Sequence, residues 1–592
     1  MNGKPIFKAM KKTLLTIFSL ISFVAIGQTV QTEGDNLVLD KELKYIKTNP
    51  DFGKITVLDD SLKAASIFEF ETLTQPKFIY KCATAIPIKK NDYKKGRVFL
   101  VSFEAKTIKS SLETGEAKLN ILFRQTASYK DNLVSTQSIS SNWQAYFIPI
   151  QSTVNLSKEE FRLVFHYGFK PQSFQVKNLK FEVFPEGTDI SSLPKTLITY
   201  KGMEVDANWR KSAEARIEKI RKSDFQLQIL KKGKPIANKT LSIELVEHDF
   251  PFGAAVEAKQ IVDNTKYYNK FKKAFNHVVL ANALKIKAWR WEQKRPITLK
   301  ALDMLNDDGY SVKGHVLIWP GFNYLTPVFK EKKDNPEAII KLMADHVNTI
   351  LEVTKGKVML WDVVNEAYTN QDLQTITGSE EILYDGFRTL KAKQPNVLAY
   401  TNEYGIISKG GLDSNKQQWY YDFVKRIDEN TNGQIDGIGI QCHIGSDLTP
   451  PEKVLKLLNF YATLGKKISI SEFTMDIQEP EIREQYTKDF MIAAFSHPNV
   501  SEFLFWGFVE DERKKVDIYK KDWTIGAMGK AYFSLVHDTW KTNLVAETND
   551  QGTVNGRGFY GTYKYTFVED GKVVSGTFRL KPNQTQVFKV QL

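Results

Sequence analysis

Two glutamates, Glu366 and Glu472, stand at the ends of apolar runs that are typical of buried strands. In "VMLWDVVNEA" the apolar residues lie on both faces, as in a parallel strand that helices cover on each side. Because an unpaired buried charge is costly, each carboxylate needs either a structural partner or a chemical role. Two carboxylates that flank a cleft can cleave a glycosidic bond, one as the acid and the other as the nucleophile. Glycoside hydrolysis is therefore the first hypothesis.

Further polar and aromatic side chains follow the other apolar runs of the same region. They are His315, Trp319, Asn365, Asn402, Glu403, Tyr404, Gln441, His443 and Trp506. A single glutamate at a strand end is more often a cap or a salt-bridge partner than a catalyst. A whole set of such groups at successive strand ends instead favours one shared site at the mouth of a barrel.

The elements that would position these groups are eight apolar strands with helical stretches between them. The strand segments are "FGAAV", "FNHVVLAN", "SVKGHVLIWP", "VMLWDVVNEA", "VLAYTNEYG", "DGIGIQCHI", "KISISEFTM" and "SEFLFWGFV". This alternation predicts a (β/α)8 TIM barrel over residues 245–540. A doubly wound open sheet is the alternative, but no glycine-rich phosphate loop follows the first strand.

The barrel is predicted to be one part of a multidomain chain. Short alternating strands over residues 28–190 predict a β-sandwich of jelly-roll type, similar in architecture to carbohydrate-binding modules. Trp143 in that segment is either a sugar platform or a core residue. Residues 191–244 read as a linker helix followed by a β-hairpin, and residues 541–592 as a small C-terminal accessory β domain. We expect the barrel to cleave soluble substrate without the first module.

The first 27 residues have the pattern of a signal peptide. Lys11 and Lys12 precede an apolar run from 14 to 26, and small residues follow at the cleavage position. Thirteen apolar residues are too few for a stable membrane anchor. We therefore expect an exported protein, periplasmic or extracellular, with no membrane anchor and with no fixed oligomeric state indicated.

Charge, cysteines and histidines exclude several other classes of function. The net charge of +13 comes from 82 basic and 69 acidic residues that are mixed along the chain, so a nucleic-acid partner is not indicated. Cys82 and Cys442 fall in different predicted domains, which argues against a disulfide. The eight histidines show no metal-binding spacing, so neither a metal nor another cofactor is expected.

The strand-end motifs carry a family resemblance. "WDVVNEA" and "ISEFTMD" resemble the acid/base and nucleophile motifs of glycoside hydrolase family 10, the retaining endo-β-1,4-xylanases. "FGAAV", "VKGHVLIW", "TNEYG", "DGIGIQCHI" and "FWGF" follow the same family order. The resemblance covers roughly residues 245–540 and implies a polysaccharide substrate, xylan or a related β-glycan.

The resemblance also implies roles for individual residues. Glu366 would be the acid/base, Glu472 the nucleophile and His443 the group that orients Glu472. Tyr404 would face the leaving group. The remaining implied contacts surround the sugars and are Asn365, His315, Trp319, Gln441, Trp506, Asn282 and Lys285.

Three positions depart from the family pattern. Ala281 stands where an acidic residue is usual, Pro320 where a histidine is frequent, and Lys514 where a tryptophan is usual. These positions contact sugars in the family, so the preferred sugar is less firmly implied than the reaction. The alternatives are a hydrolase or transglycosylase of another β-glycan, such as an acidic or decorated one, and a non-catalytic carbohydrate-binding protein. Retention of both glutamates argues against the last.

Overall fold

The computed structural model describes residues 34–59, 66–112, 114–125, 131–158, 160–513, 515–582 and 586–592. The predicted signal peptide, residues 1–27, and Lys514 lie outside these ranges. Among the described residues, none of the helices has both the length and the apolar character that crossing a membrane requires.

A closed barrel of eight parallel strands forms the centre of the molecule, as the alternating apolar runs predict. Each strand pairs with the next one along the chain, and the eighth pairs with the first. The strands are β1 Phe252–Val256, β2 His277–Leu280, β3 Ser311–Ile318, β4 Leu360–Asn365, β5 Leu398–Glu403, β6 Gly437–Ile444, β7 Lys467–Met475 and β8 Val500–Phe505.

Helices surround the barrel and present apolar faces to it. Several begin with proline in the first turn or with an asparagine whose side chain caps the helix, as at Asn264 and Asn335. The helices of the barrel are Ala258–Asp263, Thr265–Ala274, Ile286–Trp289, Arg295–Asp307, Pro327–Glu331, Pro336–Val353, Asp372–Thr377, Glu381–Lys393, Ser414–Asn430, Pro451–Ala462, Pro480–Phe495 and Ala527–Phe533. Short 3₁₀ turns at Glu292–Lys294 and Lys409–Gly411 and a π-helix at Ser534–Thr539 complete this layer.

A buried ion network lies inside the barrel. The ammonium group of Lys313 on β3 is 2.7 Å from Glu502 Oε1 on β8 and 3.2 Å from Asp362 Oδ1 on β4. Burial alone would raise the pKa of Glu502, but Lys313 and His277 together outweigh this effect and hold that pKa below its ordinary value. The network fixes the side chain of Asp362, whose other carboxylate oxygen contacts His315 at the candidate site.

The N-terminal segment folds as a β-sandwich of two antiparallel sheets around one apolar core. One sheet contains Asp35–Asn36, Gly53–Asp59, Ile67–Thr72, Val98–Ser110, Gln144–Gln151 and Gln172–Val183; the other contains Ala83–Ile86, Ala117–Gln125, Asp131–Ile139 and Phe161–His166. Short helical turns occupy Asp40–Leu43, Ile79–Lys81 and Ile190–Ser192. Trp143 is half-buried, and the ammonium groups of Lys106 and Lys177 lie 5.1 and 4.4 Å from its ring.

The C-terminal strands pair with the segment that precedes the barrel, so two stretches that the sequence analysis assigned to separate units build one β-sandwich. Lys222–Lys231 pairs with Thr553–Phe559 and with Gln586–Gln591, whereas Thr240–His248 pairs with Asn543–Glu547 and Gly561–Glu569. The hairpin that forms here is shorter than predicted: Lys222–Lys231 pairs antiparallel with the two-residue strand Lys234–Pro235, whereas Thr240–His248 belongs to a different sheet. The remaining strand of this sandwich is Lys572–Leu580.

Two local predictions in this region agree with the structure. The charged helix forms at Asn208–Ile220 with Ala213 and Ile217 buried. Asp570 and Gly571 both have positive φ in the turn between two antiparallel strands. The two cysteines are free and buried, as expected from their separation in the chain.

Candidate active site

A cavity of about 630 Å³ opens at the carboxyl ends of the barrel strands. Nine of the eleven predicted site residues line it, namely Asn282, Lys285, His315, Trp319, Asn365, Glu366, His443, Glu472 and Trp506. Gln441 is fully buried beneath the cavity, and Tyr404 lies to one side of it. The strand-end positions thus meet in space, although their chain positions span more than 220 residues.

Glu472 on β7 is held by a donor at each carboxylate oxygen. Asn402 Nδ2 donates to Glu472 Oε1 at 2.8 Å, and His443 Nε2 lies 3.1 Å from Glu472 Oε2. The other ring nitrogen of His443 is 2.9 Å from Thr474 Oγ1, which fixes the plane of the imidazole. Two fixed partners leave Glu472 in one orientation, as a nucleophile requires.

A ladder of side-chain amides connects Glu472 with Glu366. Asn402 Nδ2 also donates to Asn365 Oδ1 at 3.0 Å, and Gln441 Nε2 donates to both Asn365 Oδ1 and Glu366 Oε1 at 3.2 Å. Because Asn365 Oδ1 accepts two bonds, its Nδ2 group is turned away and has no protein partner. This buried donor is available to a hydroxyl group of a ligand in the cavity.

Glu366 follows directly after β4 and has a φ of +55°, which is rare for a residue with a side chain. The backbone is held there by a bond from Glu366 N to Asn402 O at 2.8 Å and by one from Asn370 N to Glu366 O at 3.2 Å. Strained backbone of this kind persists where the surroundings fix it, and it is concentrated at functional sites. It turns Glu366 into the cavity rather than along the strand.

His315 on β3 is oriented by a carboxylate of the barrel interior and is flanked by aromatic rings. Its Nδ1 atom is 2.9 Å from Asp362 Oδ2, within the ion network of the barrel interior. Its ring centroid is 5.0 Å from that of Trp506 and 6.1 Å from that of Trp319. This arrangement leaves Nε2 as the ring nitrogen that can face a ligand.

One wall of the cavity is aromatic and basic. Trp319 stacks on Tyr324 with ring centroids 3.6 Å apart, and the ammonium group of Lys285 lies 5.0 Å from Trp319 and 5.7 Å from Trp506. Burial lowers the pKa of Lys285, although the carboxylates of Glu472 and Glu366 oppose this effect. Flat rings beside a charged donor suit the apolar face and the hydroxyl rim of a sugar.

The part of the cavity that Asn282 and Lys285 line shows how Ala281 is accommodated. Ala281 packs in an apolar cluster with Leu504 and Trp506. Asn282 Nδ2 donates instead to Glu257 Oε1 at 2.7 Å, and Lys285 donates to Asn282 Oδ1 at 3.0 Å. Glu257, which follows β1, therefore supplies a carboxylate close to the position from which Ala281 removes one.

Tyr404 lies beyond Glu366, next to the end of β5. Its hydroxyl group donates to Thr369 Oγ1 at 3.2 Å, and the ammonium group of Lys416 lies 3.4 Å from its ring. The neighbouring Glu403 is paired with Lys416 at 2.9 Å and is buried. Glu403 is thus held in a buried ion pair and does not line the cavity.

Sequence reasoning assigned no role to four residues that support this site. Asn402 was noted only as a strand-end residue, and Asp362, Thr474 and Glu257 were not noted. Thr474 lies two residues from Glu472 on the same strand, so alternation could have placed it on the same face. Asp362 lies three residues from Asn365 across a register shift in β4, where simple alternation fails. Among the described residues there is no group of three or more histidine, cysteine or acidic side chains that could hold a metal ion.

A parallel eight-stranded barrel with buried glutamates at the ends of β4 and β7 and aromatic rings beside them defines a glycoside hydrolase domain. Residues 242–522 match the sequence profile of Glycosyl hydrolase family 10, and this part of the chain is a domain of that family. The match covers every barrel strand, from β1 to β8.

Curated relatives show lower similarity over a longer stretch. The chain is 28% identical over 380 residues to "Anti-sigma-I factor RsgI6" of Acetivibrio thermocellus, which covers 62% of this chain and 47% of that protein. It is 25% identical over 352 residues to "Endo-1,4-beta-xylanase 3" of Arabidopsis thaliana, covering 58% and 45% respectively. The match therefore spans less than half the length of either relative.

Solved structures include xylanase 10B from Thermotoga petrophila in complex with xylobiose. It is 21% identical in sequence, covers 49% of this chain and 95% of that chain, and has a TM-score of 0.44.

Proposed function

We propose that this protein is an endo-acting glycoside hydrolase that cleaves internal β-1,4 linkages of xylan by double displacement. The observation that carries this proposal is the amide ladder that joins two buried glutamates in different surroundings. Glu472 lies between Asn402 and His443, whereas Glu366 accepts a hydrogen bond from Gln441 and enters the cavity on a strained turn. Distinct surroundings are what two carboxylates with different roles require.

In this proposal the reaction has two chemical steps. In the first, Glu472 attacks the anomeric carbon and forms a glycosyl-enzyme ester, while Glu366 transfers its proton to the glycosidic oxygen of the departing chain. In the second step Glu366 takes a proton from water, and the resulting hydroxide breaks the ester and restores Glu472. The free Nδ2 group of Asn365 would bind the 2-hydroxyl group of the reacting sugar, where a bond that strengthens in the transition state lowers the barrier.

The cavity lining favours an uncharged glycan. Apart from the two glutamates of the ladder, the lining residues that the structure describes include three acidic and three basic ones, so neither sign of charge prevails among them. They are Glu257, Glu510, Asp511, Lys285, Arg513 and Lys515. This balance argues for plain xylan over an acidic, decorated chain, which is the alternative that the position of Lys514 suggests.

A panel of soluble polysaccharides tests this proposal. The purified chain is expected to digest arabinoxylan or beechwood xylan to short oligosaccharides of mixed length, with far less product from mixed-linkage glucan or mannan. Glucuronoxylan and the same polymer with its acid groups reduced should react at similar rates, since the lining is balanced in charge. Exclusive release of single sugars from a chain end would contradict endo action, and binding without any cleavage would indicate a carbohydrate-binding protein.

A further inference from the structure

The N-terminal β-sandwich contacts the barrel at the same end as the candidate active site. The carboxylate of Glu116, at the start of the strand Ala117–Gln125, is fully buried and accepts three hydrogen bonds from the loop after β6. Ser446 N donates at 2.7 Å, Ser446 Oγ at 2.8 Å and Asp447 N at 2.7 Å. A Cβ atom on Gly445 would lie 2.4 Å from the carboxyl carbon of Glu116, so this approach requires glycine.

The barrel loop makes the reciprocal contact with the sandwich. The carboxylate of Asp447 accepts hydrogen bonds from Ser140 Oγ at 2.6 Å and Ser141 N at 2.8 Å, and also from the hydroxyl group of Ser141. Each body therefore uses a carboxylate to bind backbone and hydroxyl donors of the other. Several such bonds, made to backbone and hydroxyl donors of both bodies, fix their relative orientation as well as their position.

A buried ion pair forms a second anchor, on the loop after β7. Lys118 Nζ is 2.7 Å from Asp476 Oδ2, and both side chains are largely shielded from solvent. Burial alone would raise the pKa of Asp476, but the charges of Lys118 and Lys515 outweigh it and lower that pKa. Removing Lys118 would leave a buried carboxylate with less compensation, which is strongly unfavourable.

Both anchored loops lead directly into the site. Gly445 is two residues beyond His443, and Asp476, the first residue after β7, is four residues beyond Glu472. The loops are also bonded to each other, since Asp476 N donates to Ile444 O at 2.8 Å. A displacement of either anchor would therefore pass to the pair His443 and Glu472, whose contact at 3.1 Å sets the position of the nucleophile.

We propose that the N-terminal β-sandwich is a positioning part of the active site, acting through Glu116 and Lys118 on the loops that follow His443 and Glu472. This inference rests on the proposed glycosidase function, and it replaces the expectation of an independent module joined by a linker. None of the sandwich residues that the structure describes lines the cavity, so the effect of the sandwich should fall on turnover rather than on substrate binding.

The full-length chain with Lys118→Met tests this role. The variant keeps the length of the side chain but removes its charge, and we expect kcat on soluble xylan to fall about ten- to a hundredfold with little change in KM. Lys118→Arg should restore most of the loss, and Asp476→Asn combined with Lys118→Met should be less harmful than the sum of both single changes. Lys180→Met, at an exposed lysine of the same sandwich, is the matched control and should behave as wild type.

Hydrogen exchange separates this inference from the proposed function. In Lys118→Met the amides of residues 444–450 and 476–479 should exchange faster than in wild type, whether or not xylan is the substrate. Gly445→Ala is the second variant, for use if Lys118→Met fails to fold. Its added Cβ atom would clash with the carboxyl group of Glu116 and displace it, so the same exchange pattern is expected. Unchanged exchange and unchanged kcat in a well-folded variant would mean that the sandwich is only a tethered neighbour.

The docking contact should also respond to pH. Burial, reinforced by the charge of Asp447, raises the pKa of Glu116 to about 8, and the bonds from Ser446 and Asp447 N only partly oppose this. A raised pKa means that its contribution is fully present below the ordinary value of 4.5, declines as pH rises, and is lost above about 8. Tyr146 also faces Glu116, and Lys409 packs against the neighbouring Gly115.

Asp447→Asn provides the measurement, because it removes the neighbouring negative charge and keeps a group that can bond to Ser140. The Tm of wild type should decline relative to this variant between about pH 5 and about pH 8, since the variant lowers the pKa of Glu116 toward its ordinary value. Parallel Tm curves for the two proteins over that interval would contradict a titrating contact at Glu116.

Discussion

Glu472→Ala should lower kcat on every substrate by about ten-thousand- to a millionfold, the range expected when a nucleophile is removed. The reason is that no glycosyl-enzyme ester can form without this carboxylate, however good the leaving group is. The measurement is kcat on soluble xylan and on an aryl β-xylobioside, with thermal unfolding to confirm that the variant is folded. Equal loss on both substrates is the expected signature.

Two controls make this assignment specific. Azide can enter the space that alanine leaves and attack the anomeric carbon from the side of Glu472, which gives a glycosyl azide of α configuration. Glu403→Gln is the matched carboxylate variant, because Glu403 ends a neighbouring strand but is paired with Lys416. It should keep substantial turnover and lose stability. Near-normal activity of Glu472→Ala together with loss of activity in Glu403→Gln would overturn the assignment.

The barrel was predictable because its signals are local. Each strand is a short apolar run, and the groups that meet in the cavity come directly at the ends of those runs. Since parallel strands of a closed barrel present their carboxyl ends on one side, strand order alone brings these positions together. The same logic led to Glu366 and Glu472 without any knowledge of the distances between them.

The second β-sandwich, which is built from the strands before and after the barrel, was not predictable in this way. Lys222–Lys231 and Thr553–Phe559 are neighbours in one sheet but more than 300 residues apart in sequence. Each segment reads as an ordinary amphipathic strand, and nothing in its own residues specifies which distant strand will complete the sheet. Division of the chain by composition therefore separated two halves of one body.

The hydrogen bonds that hold the site residues in place could not be predicted from the sequence either, for a related reason. Asn402 bonds to both Asn365 and Glu472, and Asp362 bonds to His315, but each of these roles depends on which inward side chains meet across the barrel. The pairing of Lys118 with Asp476 depends further on how two domains dock. Residue type and spacing identify chemical capacity, whereas the choice of partner is a property of the folded structure.

Glu366→Ala should have an effect that depends on the leaving group. On xylan, whose leaving hydroxyl group is a poor one, loss of the acid should lower kcat about a hundred- to ten-thousandfold. On an aryl β-xylobioside with an acidic phenol the first step needs little protonation and should remain fast, so a burst of phenol should precede slow hydrolysis of the ester. A stopped-flow trace of phenol release measures both phases.

Azide again identifies the face of attack and completes the distinction between the two glutamates. With Glu472 intact, the ester forms and azide replaces the water that Glu366 would activate, so the product is a glycosyl azide of β configuration and the slow phase is accelerated. In this variant Gln441 can no longer donate to Glu366, but it still donates to Asn365. The part of the ladder that holds Glu472 should therefore persist. Equal loss on xylan and on the aryl substrate, with no azide product, would remove Glu366 from the acid/base role and assign the proton transfer to another group.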